Sequence, residues 1–282
     1  MSSPLFSTSA FVSTVLLHAD RSGIAAGELR RRAGIGQELL ADQGAHLPAM
    51  QLQKLWAECE LASGDPRFGC EMAGNIGTHC TQGLNILADS APTLGDSLRC
   101  VSAYLPLLTN CLGLRLIEDG EQAILEVLPA LPDQHHFGLD AALLRLVHGN
   151  ARRTGLAPHE LFCEVRTRPH QRCTEQLAAL GIPTGHGANP CLVMPRALLQ
   201  RPLAGANEFL HQSLRQVWQR ALDGRRRHDG ENLQLARLWL KSSGDSVERI
   251  AERVGYRQPG NFIRAFRKEF GITPKQFRLS HC

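Results

Sequence analysis

The sequence predicts a two-part chain: an α+β, mostly helical N-terminal domain followed by an all-α C-terminal domain. Three observations predict it. Apolar residues at helical spacing dominate both ends of the chain. Short β-like runs are confined to the middle, between about Leu112 and Met194. The basic charge is concentrated in the last quarter.

The N-terminal part opens with Phe11, Val15, His18 and Ala19 at helical spacing. Leu52, Leu55, Trp56 and Cys59 repeat the pattern in a helix preceded by Pro48. The segment 64–69, GDPRFG, reads as a turn from its Gly, Asp and Pro content. Thr93 can cap the next helix, with Asp96 three residues on as an imperfect capping box. The period then changes. Two β-like runs between Leu112 and Val127 flank Asp119-Gly120, a hairpin signal. Leu139 to about Arg153 is helical and stops at Gly155. Leu161–Val165 and Cys191–Met194 read as short buried strands, with a helix over Cys173–Leu180 between them, ended by Gly181. Phe209–Leu222 is a further amphipathic helix. GRRRHDG at 224–230, a charged run bracketed by glycines, reads as a linker. The expected division is therefore residues 1–207 for sensing and dimerisation, 208–232 for a connecting helix and linker, and 233–282 for the C-terminal domain.

Composition narrows the functional classes. The chain has 282 residues and a net charge of +4, enough for about two domains. From Arg220 to Cys282 fourteen Lys and Arg face seven Asp and Glu, a net of +7; the remainder, with seventeen against twenty, carries −3. Such asymmetry points to a polyanion partner for the C-terminal segment. Nine cysteines at irregular spacing, without a CxxC pair, suit reduced, packed thiols of a cytoplasmic protein better than a secreted disulfide scaffold. The N-terminus lacks a basic n-region, which excludes a signal peptide, and no apolar run is long enough for a membrane span. There is no GxSxG, HExxH, P-loop or GxGxxG after a strand. His170-x-x-Cys173, His79-Cys80 and His135-His136 do not form the two paired clusters of a zinc site. No catalytic residue, metal or cofactor is expected.

The chemistry lies in DSVERIAERVGYRQPGNFIRAFRKEFG. Val247, Ile250, Ala251 and Val254 form one apolar helical face. Ser246 can cap that helix, and Gly255 can end it. Pro259 suits the first position of a second helix. In it Phe262, Ala265, Phe266 and Phe270 face inward, while Asn261, Arg264 and Lys268 face outward, with Arg257, Gln258 and Gly260 at its start. Arg can bond guanine in bidentate fashion, and Asn and Gln can do so with adenine. A helix-turn-helix presents such side chains to the major groove. The expected DNA-binding residues are Arg257, Gln258, Gly260, Asn261, Arg264 and Lys268. The competing assignment is a helical hairpin with a solvated basic face.

These residues resemble the second helix-turn-helix of the AraC/XylS family of transcription regulators. The resemblance covers Ser246–Arg278 through Ile250-Ala251, Gly255-Tyr256, Phe262-Ile263-Arg264-Ala265-Phe266, Gly271 with Pro274, and Phe277-Arg278. Residues 11–207 resemble more loosely the arabinose-binding-type sensor domain of regulators such as those of ornithine utilisation. The carrying segments are AGIGQELL, LQKLWAECELASGDPRFG, SAPTLGDSLRCVSAYLPLL and ANPCLVMPRALLQRPLAGAN.

The resemblance implies a one-component regulator, an activator more often than a repressor. Its implied partners are promoter double-stranded DNA, a small-molecule effector, a second copy in a homodimer, and RNA polymerase when it activates. It also implies two helix-turn-helix units joined by a long helix. Only one is found here. Leu233–Lys241 reads as the end of the joining helix, and a first unit would need roughly 40–50 further residues. A lone unit makes fewer phosphate contacts, so its affinity is expected to be lower and less salt-dependent. The alternative is a sensor that pairs with an intact relative and antagonises it. The effector-binding residues are unknown at this level: Trp56, His79, Tyr104 and Arg115 are as easily core or surface as pocket.

Overall fold

The N-terminal unit forms because one long helix, α8, supplies apolar side chains to two separate cores. The structure, a computed structural model, describes residues 5–242, 244–256 and 259–280. It divides into a unit Phe6–Gln216 and a unit built mainly from Val217–Cys282. In the first, chain order is β1 (Phe6–Thr8), α1 (Ser9–Arg21), α2 (Ala26–Arg32), α3 (Gln37–Ala41), β2 (His46–Pro48), α4 (Ala49–Ser63), α5 (Phe68–Met72), α6 (Leu84–Asp89) and α7 (Leu94–Tyr104). Then follow β3 (Leu112–Asp119), β4 (Gln122–Pro129), α8 (His136–Thr154), α9 (Pro158–Leu161), β5 (Glu164–Thr167), α10 (Thr174–Ala179), β6 (Thr184–His186) and β7 (Cys191–Pro195). Helix α11 (Glu208–Ser242) runs on from this unit to α12 (Val247–Arg253), α13 (Pro259–Phe270) and α14 (Pro274–Leu279).

The expected elements find their local causes. The Thr93 hydroxyl accepts from the Asp96 N–H at 3.2 Å and caps α7, an interaction worth about 1 kcal/mol. The hairpin β3–β4 is antiparallel, closing at Asp119 opposite Gln122. Gly155 ends α8. Strands lie in the order β3-β4-β7-β5-β6, all antiparallel except the β5–β6 pair. On β4 the residues Ala123, Leu125 and Val127 are buried in alternation, as a sheet with one covered face requires.

Two cores result. Leu125, Val127, Leu192, Leu143, Leu144 and Val147 pack the sheet against α8. The start of α8 enters a second core of helices, where Phe137 meets Trp56 edge-to-face at 6.1 Å and Phe68 at 5.5 Å. Gly69 permits that approach: a Cβ there would lie 2.4 Å from the Phe137 Cα.

Two sequence expectations are corrected. Leu161 belongs to the short helix α9, and the following strand begins at Glu164. The segment 224–230 is not an irregular break in the chain but lies within the continuous 35-residue α11, and the two units divide after Gln216, within that helix. Two isolated glycines cost about 1 kcal/mol each in a helix, and no proline interrupts Glu208–Ser242. Cys59, Cys70, Cys80, Cys100, Cys111, Cys173 and Cys191 are buried free thiols, and Cys163 is exposed. Burial pushes the thiols of Cys59 and Cys70 up to about 12, which leaves them poor nucleophiles. Among the described residues no helix is long and apolar enough to cross a membrane.

Candidate nucleic-acid interface

Helix α12 is capped by Ser246, whose hydroxyl accepts from the Arg249 N–H at 3.2 Å. Its inward residues Ile250 and Ala251 are fully buried. Gly255 then takes a φ of +89°, a region that side-chain-bearing residues avoid. That turn lets the Tyr256 N–H reach back to the Ala251 carbonyl at 2.8 Å and redirects the chain into α13.

An aromatic row fixes α13. Phe266 lies 5.5 Å from Phe262, 4.5 Å from Phe270 and 5.6 Å from Phe277 of α14, ring centre to ring centre. Leu233, Ala236 and Leu240 from the last turns of α11 complete this core. The Thr273 hydroxyl accepts from the Gln276 N–H, and Gln276 answers to the Thr273 N–H, so α14 starts in a full capping box. Asp245 ties the ends together: it pairs with Arg253 at 2.6 Å, and its carbonyl accepts from Arg278 at 2.5 Å. Arg253 also lies 4.0 Å over the Trp239 ring. Arg253 is thus a structural cation.

The opposite side of α13 is polar. Gly260, Arg264 and Lys268 are exposed, and Asn261 is half-buried. The Asn261 Oδ1 accepts from an Arg264 Nη2 at 2.5 Å, so the two side chains form one donor group. Arg257 and Gln258 lie outside the described residues. Arg267, which the sequence reading passed over, is exposed as well. It lies three residues from Arg264, and helical spacing keeps it within about 60° of that residue on the wheel; that spacing was the available signal. Among the described residues no carboxylate pairs with Arg264, Arg267 or Lys268. Three cations on a rigid helix are therefore available to a polyanion.

The remaining candidates separate. Trp56 lines a cavity of about 190 Å³ in the sensor unit. His79 instead contacts the Thr14 hydroxyl at 3.1 Å, Tyr104 is buried, and Arg115 pairs across the sheet with Glu126 at 2.5 Å. Cys173 is buried while His170 is exposed. His135 and His136 meet Glu60, at 3.1 and 3.7 Å. These three are the group of possible metal ligands that the fold gathers among the described residues, one atom each within 4.8 Å. Glu60 is too distant in sequence for spacing to reveal it. Burial and their mutual proximity hold the His135 imidazole below its ordinary value, and burial does the same for His136.

Residues 23–203 match the family model described as the arabinose-binding domain of AraC transcription regulators, N-terminal. Residues 230–280 match a helix-turn-helix domain model. An uncharacterized HTH-type transcriptional regulator YtdP of Bacillus subtilis (strain 168) is 43% identical over 44 residues, which is 16% of this chain and 6% of that protein's length. The crystal structure of transcriptional regulator CdpR from Pseudomonas aeruginosa superposes with a TM-score of 0.48 at 17% identity, over 88% of this chain and 97% of that one. With its N-terminal arabinose-binding domain and its C-terminal helix-turn-helix, the chain belongs to the AraC-type transcription regulators.

Proposed function

We propose that the chain is a sequence-specific promoter-binding regulator, an activator, whose sensor domain answers to a small-molecule effector. The observation that carries the DNA reading is the α13 stripe: Asn261, Arg264, Arg267 and Lys268 stand on a helix held rigid by Phe262 and Phe266. In this reading Arg264 and Asn261 address base edges and Lys268 addresses phosphate, with Arg257, Gln258 and Gly260 at the groove-entering end. Coupling runs along α11, whose first turns hold the sensor. There His211 meets the Leu87 carbonyl at 3.1 Å and the Cys100 thiol at 3.9 Å. An effector acts by favouring one of two populations that differ in DNA affinity.

Between Leu203 and Val247 the described residues hold one helix, α11, and no further helix pair. Tight binding by a single helix-turn-helix is therefore assigned to a homodimer that places two units on two half-sites. Footprinting the purified chain gives the operator, and fluorescence anisotropy on one half-site against a spaced pair then tests the assignment. Tighter binding to the pair supports it, and equal affinities refute it. The same missing pair favours the second reading, an antagonist of an intact relative. No operator binding at low salt, together with mixed-dimer formation, would select it.

A further inference from the structure

The cavity in the sensor unit carries an unbalanced positive charge. Its wall is largely apolar and includes Phe11, Trp56, Leu84, Val101, Leu108 and Leu146. One face of α8 forms a side of it, with the small residues Gly138, Ala141, Ala142 and Gly149 leaving the space open. Along the same face stand Arg145 and Arg153, and among the described residues no Asp or Glu lines the cavity. Arg153 is satisfied, bonding Asp89 at 3.2 Å, the Ser97 hydroxyl at 3.1 Å and the Asn150 Oδ1 at 2.9 Å. Asp89 is shared with Arg152 at 2.5 Å. Arg145 is half-buried and has no hydrogen bond or ion pair among the described residues. Desolvation, followed by repulsion from Arg152, pulls its basicity below the ordinary arginine value.

Three more groups around the cavity are left open. Asn150 is fully buried; its Oδ1 is fixed by Arg153, and its Nδ2 has no partner among the described residues. The Thr8 Oγ1 and the Gln134 Oε1 are likewise buried without partners among the described residues, and both residues line the cavity. Native proteins rarely leave buried polar atoms unpaired, each costing about 1–3 kcal/mol. Two of the three can donate to an anion, the Asn150 Nδ2 and the Thr8 hydroxyl, and all three residues line one apolar space.

We propose that this cavity binds an amphipathic organic monoacid, its apolar body on the Phe11–Trp56 wall and its carboxylate balanced by Arg145, with Asn150 Nδ2 and the Thr8 hydroxyl as further donors. The inference rests on the sensor reading given above. One unpaired guanidinium matches one negative charge, which favours a carboxylate over a doubly charged phosphate ester. A sugar fits poorly, because the largely apolar wall would strip water from its hydroxyls and return few hydrogen bonds.

The test is isothermal titration of the full chain with decanoate, 5-phenylvalerate, 1-decanol and L-arabinose. At least one of the two carboxylates should bind, which also separates an aliphatic from an aromatic body. The one that binds should do so on the order of tenfold or more tighter than decanol, as a charge-assisted hydrogen bond implies. Arg145→Met should bring the carboxylate down to the level of decanol and leave decanol unchanged, while Arg145→Lys retains part of the preference. Ligand-free Arg145→Met should melt no lower than the parent, because it removes an unpaired charge from an apolar wall. Equal binding of decanoate and decanol, a preference that survives Arg145→Met, or binding of arabinose alone would overturn the ligand class. So would the absence of any carboxylate binding. The regulator reading is decided separately: an operator affinity that shifts with a neutral compound would keep it intact while the acid proposal falls.

Discussion

Replacing Phe266 by Ala should unfold the reading head while sparing the sensor. The ring is fully buried and touches three other aromatic rings at 4.5–5.6 Å. Deleting a buried Phe side chain costs about 3–5 kcal/mol. The 66 residues from Val217 to Cys282 correspond to a total stability of about 3–10 kcal/mol at ordinary values per residue. Phe266→Ala therefore removes from about a third to all of it. Phe266→Leu keeps most of the volume, costs about 1 to 1.5 kcal/mol, and should lower the melting temperature of this unit by about 4–8 °C per kcal/mol lost. The assays are thermal melts by circular dichroism and operator anisotropy for each variant. The expected order in both is parent, Leu, then Ala, with Ala losing operator binding. The sensor cores contain no residue of this cluster, so ligand binding in the sensor cavity should survive in both. If Phe266→Ala bound operator within about twofold of the parent, less than about 0.5 kcal/mol, the aromatic row would not be what holds α13.

Other outcomes follow from particular residues. Arg264→Ala and Asn261→Ala should each weaken operator binding by about 1–3 kcal/mol with relaxed specificity. Because the two side chains bond each other, the double variant should cost less than the sum; full additivity on operator and scrambled duplex would contradict the shared donor group. Lys268→Ala should weaken both duplexes alike and reduce the salt slope by about 1, whereas an unchanged slope would remove it from the phosphate contacts. Gly255→Ala meets no neighbour within 4 Å but must keep a φ of +89°, so melting should report a loss of about 1–2 kcal/mol, and Gly255→Asn a smaller one. His18, His135 and His136 are held below the ordinary histidine value chiefly by burial. The unfolded chain takes up their protons near pH 6.5 and the folded chain only at lower pH. Stability is therefore complete above about pH 6.5 and lost as pH falls through the folded values. Urea melts at pH 7.5 and 5.5 check it: the paired His135→Gln and His136→Gln variant should lose stability less steeply toward acid.

The reading head was legible because its contacts are local. Val247, Ile250 and Ala251 meet Phe262 and Phe266 within a short segment of chain, so helical periodicity, a glycine turn and two caps carry nearly all of its geometry. The sequence by itself also placed the basic charge beside that motif and located the sheet hairpin from Asp119-Gly120. Other features needed the fold. The glycines of 224–230 are ordinary linker signals, yet they sit within α11, because helix breaking by isolated glycine is weak against a long run of helix-forming neighbours. The partner of His135 and His136 is Glu60, on another helix. The cavity gathers Thr8, Trp56, Gln134, Arg145 and Asn150 from distant elements, and of these only Trp56 had drawn notice as a pocket candidate. In a sequence Arg145 is one arginine among many. Only the packing of α8 against its neighbours determines that its guanidinium has an apolar wall beside it and, among the described residues, no ion pair, and that is a property of tertiary structure because such a pairing is written nowhere along the chain.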